Sequence, residues 1–339
     1  MAEPASAASV SVVVPCWRAA DTIGACIDSA AATGWPRLEV IAVDDASPDG
    51  TAAEIEAAAR RHPGLVRLIR LDQNGGPARA RNAGAAAATG EFLFFVDSDT
   101  RLEPDALTRF VARVENDGAD AVCGIYHPEP LNAGAVPLYK ALFTHYSFAS
   151  RGVFPYETFN GACAGISAAR YRAVGGYDER LRAGDDYENE ELGGRLRRAG
   201  ARLIMDTTIQ VRHVFPDFAK LTRVYFTRVS LWVRYFLREG QFESGGPATA
   251  AGGVATASVP AMLGCAALGA LSPWALAPAA AFALLWLRGY GGFFGYVTRS
   301  RPGFLAMAVL LNLWFSCAVT SGAAHGLLRA LLSGRRSAA

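Results

Sequence analysis

No acidic residue follows Gly253 in this 339-residue chain, so its final stretch cannot build a carboxylate metal or acid–base site, and chemistry of that kind has to lie upstream. No G-x-G-x-x-G or Walker pattern surrounds Gly75-Gly76, which argues against a dinucleotide or ATP loop. The six cysteines (Cys16, Cys26, Cys123, Cys163, Cys265 and Cys317) show no Cys-x-x-Cys and no paired spacing, so neither a zinc site nor a disulfide frame is expected and they read as reduced thiols. Met1 to Ser9 have neither a basic segment nor an apolar core, and no signal peptide is expected. A net charge of +2 is too small for a nucleic-acid surface. With 51% hydrophobic residues and a positive mean hydropathy, the chain is too apolar to be wholly soluble, and a membrane segment is expected.

The first half alternates two kinds of segment. Val10 to Val14, Leu38 to Val43, Val66 to Leu71 and Phe92 to Val96 are short β-branched or aromatic runs, while Thr22 to Ala32, Thr51 to Arg61 and Pro77 to Ala88 have helical composition. That order predicts an α/β fold with a mostly parallel sheet covered by helices, whose ligands gather outside the carboxyl ends of the strands. Acids stand at two such ends: Asp44-Asp45 after the second run, and Asp97-Ser98-Asp99 after the fourth. Oxygen ligands of this kind suit Mg²⁺ or Mn²⁺ and leave coordination positions open for a diphosphate. A pair of aspartates capping the helix that begins at Pro104 is the alternative.

Three segments in order, Val43-Asp44-Asp45-Ala46-Ser47-Pro48-Asp49-Gly50-Thr51, Asn74-Gly75-Gly76-Pro77-Ala78-Arg79-Ala80-Arg81-Asn82-Ala83-Gly84 and Gly90-Glu91 leading to Asp97-Ser98-Asp99, resemble the family 2 glycosyltransferases of the GT-A fold. Gly175-Gly176-Tyr177-Asp178-Glu179 is a fourth match. The resemblance implies direct, inverting displacement at the anomeric carbon of a nucleotide-diphosphate sugar. Asp99 and Asp97 would hold the metal. Pro15, Asp44, Asp45, Asn74, Arg79, Arg81, Asp97 and Ser98 would line the donor site, with Asp44 or Asp45 on the base or ribose and Arg81 or Arg79 near a phosphate.

Glu188-Asn189-Glu190-Glu191-Leu192, followed by Arg195-Leu196-Arg197, looks like the family's E-D-x-[DE]-L-x-x-R-L-R. The family's usual base is the aspartate, and here that position is Asn189, whose amide cannot take a proton. Glu188 is the first choice as base, since a helix N-terminus favours a carboxylate and a general base must be charged; Asp185, Asp186 and Glu191 are the alternatives. A histidine completes the metal shell in several relatives, and His213 is the candidate, with a histidine packed at a domain edge as the blander alternative.

From Pro216 the character changes. Phe218 to Arg238 mixes aromatic and basic residues without an acid, the makeup of a helix lying on an anionic bilayer, with a basic groove for the diphosphate as the competing reading. The expected organisation is a GT-A domain over 1–215, an amphipathic interfacial helix over 216–243, a linker over 244–253, two to three membrane spans within 254–328, and a basic tail over 329–339. The candidate spans are Val254 to Leu271, about Trp274 to Leu287, and Phe304 to Leu328, with Arg288, Arg299 and Arg301 in the loop after the second. The family's polymer synthases carry Q-x-x-R-W, which is absent here. The expected activity is therefore transfer of one sugar to a lipid or lipid-linked hydroxyl at the cytoplasmic face of the plasma membrane. Transfer to polyprenyl phosphate is the alternative, because an anionic acceptor needs no base, and a binding protein without turnover is the third reading. Sequence leaves the sugar, the acceptor and the oligomeric state open.

Overall fold

Every residue of Val10–Cys16, the first strand (β1), is buried, as a β-branched run covered on both faces should be. In the computed structural model, which describes residues 8–181, 187–239 and 250–334, there follow α1 (Ile23–Ala32), β2 (Leu38–Asp44), α2 (Thr51–Arg61), β3 (Val66–Arg70), α3 (Pro77–Ala87) and β4 (Phe92–Val96). β2 and β4 flank β1 in parallel, and β3 extends the sheet beyond β2, as the alternation predicts. Val12 and Val14 point into one apolar layer with Ile23, Ile55 and Phe110, while Val13 points into the other with Phe95, Phe159 and Tyr177.

Past β4 the chain adds β5 (Thr100–Leu102), α4 (Ala106–Asp117), β6 (Ala121–Tyr126), α5 (Ala135–Ala149), β7 (Val153–Pro155), β8 (Cys163–Ser167), α6 (Ala168–Ala173), α7 (Glu188–Arg198) and β9 (Leu203–His213). The sheet order is β3-β2-β1-β4-β8-β6-β9-β5, with β7 also on β9. β8 runs antiparallel to both β4 and β6, so the sheet is parallel on the β1 side and mixed on the other. β5 lies antiparallel to the end of β9, pairing Thr100 with His213. That pairing carries His213 across the sheet to the loop after β4.

Helix α3 sits unusually close to the sheet. Pro77 starts it, and a Cβ on Gly84 would lie 2.4 Å from Val13 Cγ1. The missing side chain lets the helix descend onto β1, which places Arg81, one turn earlier, beneath the strand ends.

The chain divides into two compact units, Met1–Leu131 with Phe148–Val214, and Asn132–Ser147 with Phe215–Ala339. The first holds the sheet. The second comprises most of α5 with α8 (Phe218–Glu239), α9 (Ala250–Leu268), α10 (Leu276–Ser300) and α11 (Leu305–Gly334). Two expectations change here. Residues 132–147, assigned from sequence to the sheet domain, belong to the helical unit because Tyr139 and Phe143 stack and meet Phe293 edge-on. The short second span ending at Leu287, with an arginine loop after it, is instead the first half of the 25-residue α10. Gly289 looks like a loop residue but serves close packing: a Cβ there would lie 2.3 Å from Ala255 Cβ. α9 and α11 are the two described helices long and apolar enough to cross a membrane.

α8 has a partner of its own. It runs alongside α11, where Cβ atoms on Gly322 and Gly326 would strike the carbonyls of Phe226 and Ser230 at 2.4 and 2.5 Å, and Ser230 Oγ meets His325 Nδ1 at 2.9 Å. The basic helix expected to be interfacial is thus packed against an apolar one. Gly326→Leu is expected to separate the pair and cost about 1–3 kcal/mol, the usual penalty for overpacking, read as a lowered thermal midpoint in detergent. An unchanged midpoint would contradict this contact. The expected linker lies largely outside the described residues, as does the end of the basic tail.

Candidate active site

β4 ends in a tight turn. Thr100 donates its backbone N–H and its hydroxyl to the Asp97 carbonyl, at 3.1 and 2.7 Å, which folds Asp97-Ser98-Asp99 back on itself and turns both carboxylates out of the sheet edge. The Val214 N–H donates to the Asp99 carbonyl at 3.0 Å, and His213 Nε2 stands 3.3 Å from Asp99 Oδ1. Asp97, Asp99 and His213 each offer a ligand atom, all within 4.8 Å of one another. Two carboxylate oxygens and an imidazole suit Mg²⁺ or Mn²⁺. Electrostatics agree: burial pushes the Asp97 carboxyl above its ordinary range despite Arg81, and the like charge of Asp99 adds to it. A divalent cation would relieve that repulsion.

Arg81 lies beside this turn and is 4% exposed. Its Nη2 donates to Asp97 Oδ1 at 2.9 Å, and its Nη1 is 3.6 Å from Glu188 Oε1. The guanidinium carbon sits 5.2 Å from the centre of the Tyr177 ring. Nε and Nη1 are buried without a hydrogen-bond partner, with only Glu188 at 3.6 Å from Nη1, so the fork carries donors that its protein contacts leave unused. Burial disfavours the charge, but Tyr177, Asp97 and Glu188 outweigh it and hold Arg81 above its ordinary range. Arg79, the other candidate, is half-buried and donates to the Gln73 carbonyl.

The two acids after β2 have separate surroundings. Asp45 accepts the N–H groups of Gly75 and Gly76 on its two oxygens, at 2.9 and 2.8 Å, while the Asn74 amide donates to the Asp45 carbonyl at 3.3 Å. Its carboxylate is thus committed to shaping the loop. Asp44 accepts only the Ser47 N–H, at 3.1 Å, and retains an oxygen for a ligand. Pro15 is buried at the carboxyl end of β1, opposite Val43 of β2.

At the start of α7, Glu188 faces Arg81, whereas the side-chain oxygen of Asn189 accepts the Gly161 N–H at 3.2 Å and the Tyr177 hydroxyl at 3.1 Å. Burial pushes the Tyr177 phenol far up, so it remains a donor. Glu191, an alternative base, is held by Arg195 in a two-point pair at 2.6 Å. Asp185 and Asp186 lie outside the described residues.

Tyr177 and Asn82 were not singled out from sequence, although both sit inside the quoted motifs. Asn82 accepts from the Tyr177 N–H and the Tyr171 hydroxyl and donates to the Tyr177 carbonyl, which pins the Gly175-Gly176-Tyr177 turn to α3. The aromatic ring of that turn then supports Arg81.

Comparison with known proteins gives these contacts a family. The description "Glycosyl transferase family 2" matches residues 11–174. Among curated relatives, the succinoglycan biosynthesis protein ExoO of Rhizobium meliloti is 44% identical over 110 residues, 32% of this chain and 31% of that protein. The poly(ribitol-phosphate) beta-glucosyltransferase of Bacillus spizizenii is 31% identical over 136 residues, 40% of this chain and 21% of that protein. The chain thus spans about a third or less of the length of these relatives. Among solved structures, the mannosyltransferase PcManGT of Pyrobaculum calidifontis, in complex with GDP-Man and Mn²⁺, is similar with a TM-score of 0.59 at 21% identity, over 97% of this chain and 88% of that one. Residues 11–174 are thus a domain of glycosyl transferase family 2.

Proposed function

We propose that the chain transfers a single glycosyl unit, with inversion, from a nucleoside-diphosphate sugar to a lipid or lipid-linked acceptor at the cytoplasmic face of a membrane. The observation that carries this reading is the three-residue ligand cluster beside a buried arginine with unused donors. Asp97, Asp99 and His213 are the residues to hold Mg²⁺ or Mn²⁺, which when bound neutralises charge on the departing diphosphate. Arg81 would add positive charge beside the same group, and its position is set by Asp97, Glu188 and Tyr177 before any ligand arrives, so little reorganisation is needed. Asp44 has the free oxygen suited to a ribose or base, and Asp45 holds the Gly75-Gly76 loop in shape. Glu188 and Asn189, opening α7 beside Arg81, are the residues to meet the acceptor oxygen. The apolar helices α9 and α11 support a lipid-phase acceptor.

Release of nucleoside diphosphate by the purified full chain tests this, with a panel of nucleotide sugars, membrane lipids and Mn²⁺ or Mg²⁺. Release that depends on both the cation and the lipid is expected. A chain that neither binds any donor nor releases nucleotide with the cation present would rule the reading out.

A further inference from the structure

Helices α8 and α11 run in the same direction. Phe226 lies against Gly322 and Ser230 against Gly326, an advance of four residues on each helix, and nearer their starts Phe218 meets Trp314 and Phe315. Their outer faces differ. α8 exposes Lys220, Arg223 and Arg228, while α11 exposes Met307, Leu310, Trp314, Ala324, Leu328 and Leu331, an apolar stripe at helical spacing. Crossing the hydrocarbon takes roughly 20 residues, and every stretch of that length within Leu305–Gly334 includes 315–324. In the register set by Gly322 and Gly326, 315–324 stands beside 219–228, so a crossing α11 would carry those three basic residues to the middle of the bilayer. Each basic side chain at that depth disfavours insertion by roughly a hundredfold. Neither α11 nor α8 between Phe218 and Arg238 has an acid to neutralise them.

A second observation is independent of charge. α9 and α10 form an antiparallel hairpin: Gly289 lies against Ala255 at its base and Gly269 against Leu276 at its tip, where Leu271 and Trp274 are 85% and 88% exposed. From Ala255 to Leu268, α9 rises about 20 Å into this apolar hairpin, and Arg288 stands at the base. α11 bonds to the hairpin through Asn312, whose Oδ1 accepts the Trp286 indole N–H at 2.7 Å, and through Thr320, whose hydroxyl donates to the Thr256 carbonyl at 3.3 Å. Along α11 these two contacts are eight residues, about 12 Å, apart. Along the hairpin, Trp286 and Thr256 both lie within one turn of the Gly289–Ala255 contact. α11 therefore runs across the base of the hairpin and not along it.

We infer that α11, although long and apolar enough to cross a bilayer, lies with α8 in the plane of the membrane surface, its apolar stripe among the acyl chains and the basic stripe of α8 on the lipid phosphates. An in-plane helix of this kind sinks about 5–10 Å, to the boundary of headgroups and chains. Lys220, Arg223 and Arg228 then stay at the level of the phosphates, where Arg288 at the hairpin base also stands. Among the described residues, the α9–α10 hairpin is left to enter the hydrocarbon, and it returns to the face from which it starts. The two ends of α11 therefore share one face of the membrane. This arrangement puts Arg299 and Arg301 before α11 and Arg329 near its end on the same side, as the bias of basic residues toward one side of a membrane favours. The inference goes beyond the glycosyl-transfer reading and holds for any donor or acceptor.

The test uses the full chain with Cys265 and Cys317 replaced by alanine, so that single introduced cysteines report. Ser300→Cys before α11 and Arg329→Cys near its end are both at exposed positions. In membrane vesicles from expressing cells, prepared in both orientations, the two are expected to react with a membrane-impermeant maleimide from the same side. In liposomes of mixed phosphatidylcholine and phosphatidylglycerol, a spin label at Arg223→Cys is expected at phosphate depth by power saturation, whereas a crossing α11 would place it roughly 15 Å deeper, near the bilayer centre. A label at Leu328→Cys is expected among the acyl chains, within about 10 Å of the phosphates. Labelling of positions 300 and 329 from opposite sides, or a label at 223 near the bilayer centre, would overturn the inference. Dipolar broadening between Leu328→Cys labels on two chains would assign the apolar stripe to a second copy and overturn the lipid assignment. Release of the chain from liposomes by an alkaline carbonate wash would remove the membrane seat altogether.

Discussion

Asp99→Asn is expected to lower turnover by about a thousandfold or more, because it removes a charged oxygen from the cluster that would hold the cation, and metal stabilisation of a leaving group contributes several kcal/mol. Asp99 is the member that touches His213, so the substitution also loosens the imidazole. Two measurements check this. Mn²⁺ binding, followed by electron paramagnetic resonance on the protein alone, should weaken markedly, and turnover should fall with it. The wild type stripped with a chelator should lose activity and regain it with Mn²⁺ or Mg²⁺. Full activity of Asp99→Asn in chelator would remove the metal from the mechanism.

Arg81→Lys is expected to reduce kcat/KM by roughly a hundred- to a thousandfold although the charge is kept, because an ammonium cannot reproduce the planar fork. In the wild type one end of that fork meets Asp97, the other approaches Glu188, and Tyr177 supports its face. A lysine would satisfy at most one carboxylate and present no free N–H in the plane of the ring. Arg79→Lys is the internal comparison: Arg79 is half-buried and bonds only the Gln73 carbonyl, so a change of less than about tenfold is expected there. Steady-state kinetics with direct donor binding separates the two. Equal losses at both positions would mean that burial of the Arg81 fork has no bearing on the donor phosphates.

Both expectations begin in segments that could be read directly from the chain. Asp97-Ser98-Asp99 follows five apolar residues, and a strand that ends in carboxylates at a sheet edge is a local pattern, visible without any knowledge of what lies across from it. Arg81 appears in a motif, but sequence left it level with Arg79. Only the packing of α3 through Gly84 against Val13 separates them, since a bare Cα brings one face of the helix under the strands and leaves the other half-exposed. Asp44 and Asp45 were likewise interchangeable until the loop of Gly75 and Gly76, thirty residues on, engaged both oxygens of one of them.

The helical unit shows the reverse case. Composition located the apolar segments, but the glycines of α10 and α11 carry opposite meanings in a loop and in a helix contact, and nothing local distinguishes the two. A glycine-rich run weakens a helix by itself and strengthens it when a neighbouring backbone fills the vacant side-chain position. The same ambiguity hid the membership of 132–147, whose aromatic residues fit either unit until Phe293 is placed against them.

By itself the sequence determined the alternating strands β1 to β4, the acids at their carboxyl ends, the family to which residues 11–174 belong and the strongly apolar C-terminal part, because each is written in residues close together in the chain. The tertiary structure decided the antiparallel insertion of β8, the arrival of His213 beside Asp99, the burial of Arg81 between two carboxylates and the direction of the Asn189 amide. Each of these depends on partners far apart in sequence, and the energy that selects them is that of pairing charges and hydrogen bonds away from water. Such pairing is decided by distance in space, which no spacing along the chain encodes.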